Sequence, residues 1–384
     1  MGSYSRMNKK KIIYVTGTRA DYGLMRELLK KLDQAEEFDL SLCITGMHLS
    51  SLYGNTIDEI NADGFKICGV IPVEVDIATK ESMAMSIGQE ILGMTEIFKC
   101  EQPNFILLLG DRGEMLAAAI VAAHLNIPIV HLHGGERSGT VDEMVRHAIS
   151  KLSHYHFVST EASGQRLIKM GEKENTVFVV GAPGLDEINN HQVVSKETFC
   201  QKFKFIEQKK IALLVYHPVV QEYSELEQQF NNVIQASLSF DLQLICLEPN
   251  SDAGGHIIRS VLKKYSSHID LRIFKHLYRR EYIDCLAHAD IMLGNSSSGI
   301  IEAASFNLVV VNIGSRQNLR ERGDNIIDVS TDLESISLGL SKALALPLKK
   351  YTNCYGDGLS SERCYHLLRN INIDNKILNK CNAY

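Results

Sequence analysis

The chain alternates strand-sized apolar runs with amphipathic stretches almost from end to end, and that alternation leaves few folds open. Lys11–Thr16 (KIIYVT) runs apolar into a glycine, and Leu24–Leu32 then repeats apolar residues at helical spacing with lysines on the other face. Further strands are expected at Leu40–Ile44, Phe105–Leu109, Ile127–Leu132, Tyr155–Val158 and Val177–Val180. Helices are expected between them at Ser82–Phe98, Glu114–His124, Glu143–Leu152 and Gln165–Met170. After a polar stretch, roughly Asn189 to Lys210, the pattern restarts with Ile211–Tyr216. Leu242–Leu247, Leu271–Phe274, Ile291–Leu293, Leu308–Ile313 and Ile326–Val329 follow. Runs rich in Val, Ile and Leu on both faces imply parallel sheets covered by helices. Two such series predict an α/β chain of two doubly wound domains, residues 7–188 and 189–358. The last segment, 359–384, holds a helix near Ser361–Arg369 that is expected to pack back on the first domain. In this architecture ligands bind beyond the carboxyl ends of the strands, so the residues there carry the argument.

Composition narrows the classes of function. At 384 residues, two cores are the default. A net charge of -6 gives no basic footprint for nucleic acid, so an anionic ligand has to be held by local features. No apolar run reaches membrane length and no signal-peptide pattern opens the chain, which points to the cytoplasm. The nine cysteines are scattered and never spaced as CxxC, the pattern of reduced thiols. Fourteen histidines form no HExxH or similar cluster, so neither a metal nor another cofactor is expected.

Four strand ends in the first half carry polar clusters. Thr16-Gly17-Thr18-Arg19-Ala20-Asp21-Tyr22-Gly23 is either a turn whose free N–H groups and Arg19 meet a phosphate, or a tight turn capped by Asp21. Gly110-Asp111-Arg112 follows the run FILLL. His131-Leu132-His133-Gly134-Gly135-Glu136 leads through Ser138-Gly139-Thr140 to Asp142-Glu143, with two glycines that let backbone approach a ligand. Asp111, Glu136 and Asp142 on one rim suggest acid/base chemistry, with repulsion and burial raising at least one pKa. Arg146-His147, on the next helix, reads first as structural.

The second half adds His217-Pro218 at the end of its first strand and Glu248-Pro249-Asn250-Ser251-Asp252-Ala253-Gly254 after the next. Gly294-Asn295-Ser296-Ser297-Ser298-Gly299 is the most informative motif. A strand opening into small hydroxyl residues makes a nest for a diphosphate, and Glu302, one turn on, is placed to accept ribose hydroxyls. Arg316 closes the next strand and adds a cation.

TGTRADYG, ITGMH (44–48), YGNT (53–56), GDR, HGGE with SGTVDE, RHAISKLSH (146–154), HP, PNSDAG, GNSSSG with its Glu, and GSRQ occur here in one order. From about Lys11 to about Gly358 that set resembles the hydrolysing UDP-N-acetylglucosamine 2-epimerases of sialic acid biosynthesis, the NeuC type. The resemblance implies the GT-B fold, two Rossmann-like domains closing on a UDP-sugar, and a homodimer or homotetramer. It implies conversion of UDP-GlcNAc and water to N-acetylmannosamine and UDP by anti elimination to a 2-acetamidoglucal followed by hydration. Asp111, Glu136 and Asp142 would then be the acid/base residues, with His217 by the leaving diphosphate. Some relatives carry Glu where this chain has His133, which makes His133 a further catalytic candidate. Arg19, Gly23, Arg112, Gly181, Asn250, Asp252, Ser296, Ser297, Glu302 and Arg316 would contact UDP. The stretch Ser138-Gly139-Thr140 differs from relatives acting on UDP-2,4-diacetamido-2,4,6-trideoxy-glucose in the legionaminic acid route. That directs the expectation to UDP-GlcNAc, with the diacetamido sugar as the alternative. A GT-B glycosyltransferase would need no base for C2, and a nucleotide-sugar sensor could dispense with Asp111 and Asp142.

Overall fold

The computed structural model describes residues 9–384 apart from 77, 78, 139, 140, 251, 348 and 374. Gly139, Thr140 and Ser251, singled out above, therefore lie outside the described residues.

Thirteen strands form two parallel sheets. The first takes β1 (Lys10–Thr16), β2 (Phe38–Thr45), β3 (Ile67–Ile71), β4 (Phe105–Leu109), β5 (Ile129–Leu132), β6 (Tyr155–Val158) and β7 (Val177–Val179) in the order β3-β2-β1-β4-β5-β6-β7. The second takes β8 (Lys210–Val215), β9 (Leu242–Leu247), β10 (Leu271–Phe274), β11 (Ile291–Gly294), β12 (Val310–Ile313) and β13 (Ile326–Val329) in the order β10-β9-β8-β11-β12-β13. Both orders reverse beside their first strand, β1 next to β4 and β8 next to β11, which opens a crevice at the strand ends. The two-lobed α/β architecture of the GT-B type is thus present.

Each sheet is buried on both faces, as its apolar runs require. Tyr14, Leu42 and Leu107 sit on one face of the first sheet, and Ile13, Cys43 and Ile106 on the other. The helix Arg19–Asp33 shows why such segments settle there. Thr18 and Asp21 form a capping box, Tyr22, Met25, Leu28, Leu29 and Leu32 make the buried stripe, and Lys30 and Lys31 close the last turn. β3 is the strand the apolar pattern misses. It is a short edge strand broken by Gly69, where a Cβ would come within 2.3 Å of Ile97 on the covering helix Lys80–Glu101. The polar stretch after Asn189 is also more than a linker: it holds the helix Lys196–Phe203, whose Phe199, Cys200 and Phe203 enter the second core.

The chain crosses between the lobes twice, and the crossings touch. Ala182 N donates to Tyr355 O at 2.8 Å, and a small cluster of Ala182, Leu185, Ile300, Ile301 and Tyr355 joins the lobes there. The helix Ser360–Asn370 then lies on the helix Arg19–Asp33, with Cys364 and Leu368 in the first core and Lys10 Nζ donating to Leu368 O at 3.1 Å.

Candidate active site

A cleft of about 270 Å³ lies between the carboxyl ends of the two sheets. Arg19, Gly23, Asp111, Arg112, His133 and Glu136 line it from the first lobe. His217, Asn250, Ser296, Ser297, Glu302 and Arg316 line it from the second. Asp142 and Asp252 stand just behind the wall, 3.7 Å from Arg316 and 3.5 Å from Arg112 respectively. Gly181 is not part of the cleft. It sits at the lobe crossing with φ +86, where its carbonyl accepts from Ser360 Oγ at 3.0 Å.

The three carboxylates of the rim do not act on one another as the sequence suggests. Each meets a guanidinium: Asp111 meets Arg146, Glu136 meets Arg320, and Asp142 meets Arg316. Arg146, 1% exposed, also donates to Glu136 O at 3.0 Å, so one side chain ties two of the strand ends together. Burial lowers the Arg146 guanidinium to about 10. Attraction to cations, not mutual repulsion, organises this edge. Arg316 and Arg320 come from the second lobe, so two of the three pairs span the cleft.

The glycines of HGGE serve packing, not a ligand. A Cβ on Gly135 (φ +75) would lie 2.3 Å from Ser163 O, and one on Gly134 would lie 2.9 Å from Ser150 Oγ. The tight turn aims His133 and Glu136 at each other, Nδ1 to Oε1 at 2.7 Å. Ser159 Oγ donates to the same Glu136 oxygen at 3.0 Å. Burial pushes the His133 ring down to about 3, and Arg320 adds to that, so the ring is neutral at neutral pH.

At Thr16–Gly23 the capping alternative is the one realised. Asp21 accepts from Thr18 N at 2.7 Å and Gly17 N at 3.3 Å, which uses the N–H groups a phosphate would need. Gly17 is there for Glu114, whose carboxylate would lie 2.7 Å from any Cβ. Arg19 reaches the second lobe instead, with Nη1 2.5 Å from Lys275 O and 3.1 Å from His276 Nδ1. Arg112 bridges the lobes as well, 3.3 Å from Glu114 and 3.5 Å from Asp252. Burial would raise the Asp252 carboxyl, but Arg112, Arg316 and His217 outweigh it and hold it below the usual range.

The second lobe's edge is built from backbone and small side chains. Gly294 takes φ +119, and a Cβ there would fall 2.1 Å from Val215 O, so only glycine turns β11 into the serines. Asn295 pins the end of β8: Oδ1 accepts from His217 N at 2.7 Å and Nδ2 donates to His217 O at 2.8 Å. Burial and then Arg316 push the His217 ring well below its ordinary range. Ser296 caps the short helix Ser297–Ile301, and Glu302 at its end pairs with Arg279. Arg279 also donates to Gly184 O at 2.7 Å. A Cβ on Gly23 would lie 3.4 Å from Arg279 Cδ, so Gly23 makes room for that arginine.

Arg279 and Arg320 are site residues the strand-end reading missed, and Arg146, read there first as structural, lines the cleft with them. Arg146 follows Asp142 by one helical turn on the helix Val141–Leu152, a spacing that offered a signal. Arg320 lies in an irregular segment after β12, where no periodicity points anywhere. Among the described residues no group of three or more His, Cys, Asp or Glu side chains is placed to hold a metal ion. No helix of the described residues is long and apolar enough to cross a membrane.

Comparison with known proteins gives one consistent result. The family model described as UDP-N-acetylglucosamine 2-epimerase matches residues 30–369. A Legionella pneumophila protein named UDP-N,N'-diacetylbacillosamine 2-epimerase (hydrolyzing) is 67% identical, over 98% of this chain and 100% of its own length. A Campylobacter jejuni protein named GDP/UDP-N,N'-diacetylbacillosamine 2-epimerase (hydrolyzing) is 35% identical over 84% of this chain and 85% of its own. The solved structure of S. aureus MnaA with UDP superposes with a TM-score of 0.79 at 21% identity, covering 94% of this chain and 96% of that one. The expectation of UDP-GlcNAc as substrate, with N-acetylmannosamine and sialic acid downstream, is overturned by the relative that shares two residues in three. It rested on Ser138-Gly139-Thr140, too short a stretch to outweigh likeness along the whole chain. Fold, strand-end motifs and matched length agree, and the chain belongs to the UDP-N-acetylglucosamine 2-epimerase family.

Proposed function

We propose that the cleft takes UDP-N,N'-diacetylbacillosamine, the UDP-linked 2,4-diacetamido-2,4,6-trideoxy-glucose, and with water yields UDP and the free sugar inverted at C2. The observation that carries the chemistry is the rim of Asp111, Glu136 and His133 facing Ser296, Ser297 and Glu302 across one cleft. The choice of sugar is supported by the 67% identical relative named for it.

In this reading the second lobe holds the nucleotide. Glu302, paired with Arg279, accepts the ribose hydroxyls, and Ser296 and Ser297 meet the diphosphate. Arg19, Arg112 and Arg316, with His217 and Asn250 beside them, stabilise charge as UDP departs. Asp252 holds Arg112 from behind. The first lobe breaks the C2–H bond. C2–H is a weak acid, so its removal calls for a desolvated base and stabilisation of the leaving group together. Elimination leaves a glycal, and water adds to it with a new proton at C2.

The test is turnover in deuterium oxide. The released sugar should carry one deuterium at C2, read by mass spectrometry. Protium there would mean that the C2–H bond is never broken and would sink the elimination. Run side by side, UDP-N,N'-diacetylbacillosamine should release UDP at least tenfold faster than UDP-GlcNAc. The reverse order would withdraw the sugar assignment and leave the mechanism standing.

A further inference from the structure

His133 is held in an unusual way for a residue lining the cleft. Its backbone lies in the left-handed region at φ +59, where a non-glycine residue is strained. Its ring is buried, with Nδ1 2.7 Å from Glu136 Oε1 and 3.0 Å from Ser159 Oγ. Its Nε2 is buried and has no hydrogen-bond partner among the described residues. A fold keeps an unpaired buried nitrogen on a strained residue where function requires it.

The partners decide where the ring carries its proton. Arg320 only donates, so Glu136 Oε2 accepts from it. Two lone pairs do not approach to 2.7 Å, so a proton lies between Nδ1 and Oε1, and it belongs to the nitrogen. Nε2 is left as a bare lone pair. The carboxylates around it are engaged: Arg146 on Asp111, Arg316 on Asp142, and both oxygens of Glu136 occupied.

We propose that His133 Nε2 is the base that takes the C2 proton, with Glu136, Ser159 and Arg320 as its positioning residues. This rests on the elimination reading above. In the step, the C2–H bond breaks and its proton goes to Nε2. The C2–H electron pair forms the C1=C2 bond as the C1–O bond to the diphosphate breaks, and UDP leaves with the electron pair of that C1–O bond. The imidazolium so formed keeps Nδ1–H on the Glu136 carboxylate, which stabilises the charge as it appears. Asp111, on the neighbouring strand end, is then free of that duty and available for the proton that water returns.

The backbone conformation supplies the test, because the left-handed region suits glycine and tolerates asparagine. His133→Gly should lower turnover of UDP-N,N'-diacetylbacillosamine by 10²-fold or more, while UDP affinity by calorimetry stays within about twofold. Added imidazole should restore turnover in proportion to its free-base fraction, a response that lost packing alone does not give. His133→Asn, which retains a hydrogen bond to Glu136 but no base, should be as impaired and deaf to imidazole. Turnover within fivefold of the parent enzyme in both variants overturns the proposal. So does a loss in His133→Gly that imidazole leaves untouched. Deuterium at C2 with the parent enzyme keeps the elimination reading intact through either result, whereas protium would remove that reading first.

Discussion

The two lobes order their strands alike, outward from a first strand flanked by the second and fourth, yet they meet the cleft with different chemistry. At the first lobe's edge, charge is buried and paired: Asp111 on Arg146, Glu136 on Arg320 and His133, Arg112 on Glu114. At the second lobe's edge the turn after β11 is glycine, asparagine and serines, and its one deep carboxylate, Glu302, sits a helical turn further in. The scaffold sets where a ligand lies, and the few residues after each strand set what happens to it. On the proposed function the difference divides the labour: chemistry on one side, nucleotide grip on the other.

The division is broken most directly by moving one function without the other. Asp111→Asn should lower kcat by about 10³- to 10⁴-fold and leave UDP affinity by calorimetry within about twofold, since most of the proposed nucleotide contacts lie across the cleft. A parallel loss of UDP binding would show that the lobes do not divide the work.

The next effect is acid sensitivity. Burial holds four first-lobe rings low, His48 and His154 at about 4 and His131 and His133 at about 3, against His217 at about 3 in the second lobe. Unfolded, these rings bind protons below about pH 6.5. Between that value and pH 3 the unfolded chain therefore holds more protons, and stability falls as pH drops. For His131 and His133 the loss at pH 5 is about 2 kcal/mol each relative to pH 7. Hydrogen exchange at pH 5 should find β4 and β5 opening ahead of β8 and β9 once intrinsic rates are corrected. Equal protection in the two sheets would contradict this.

The smallest effect belongs to the second lobe. Glu302→Ala should weaken UDP binding by about 1–3 kcal/mol, and 2'-deoxy-UDP binding by far less, because the lost partner is the ribose diol. Equal losses for both nucleotides would take Glu302 away from the ribose.

Much of the scaffold was legible because its strands are buried on both faces. Phe105–Leu109, Tyr155–Val158, Leu242–Leu247, Leu271–Phe274 and Ile326–Val329 begin and end where their apolar runs do. β3 escaped because an edge strand with a glycine at its centre has only half the pattern. At the site, residues beside strand ends were readable, since the topology sends those ends to one cleft. What no spacing encodes is pairing across the lobes. Arg320 meets Glu136 from 184 residues away, so the arginines that organise the rim appear only once the lobes close. Asp21 and Gly17 show the converse: a helix start that looks ready for phosphate already holds its own carboxylate.

The touching lobe crossings have a mechanical consequence. Gly181 and Gly356 lie face to face, each with positive φ, and a Cβ on Gly356 would be 3.2 Å from the Gly181 Cα. Two ribbons of backbone laid side by side bend readily about the line they share and resist twisting across it. A jaw-like swing of the lobes would turn about that line, with only the small cluster around Tyr355 to repack beside it. Arg19, Arg112, Arg316 and Arg320 each reach across the cleft to the other lobe. Opening in that way would strain these bridges, so that access to the cleft and release of the paired carboxylates would be linked.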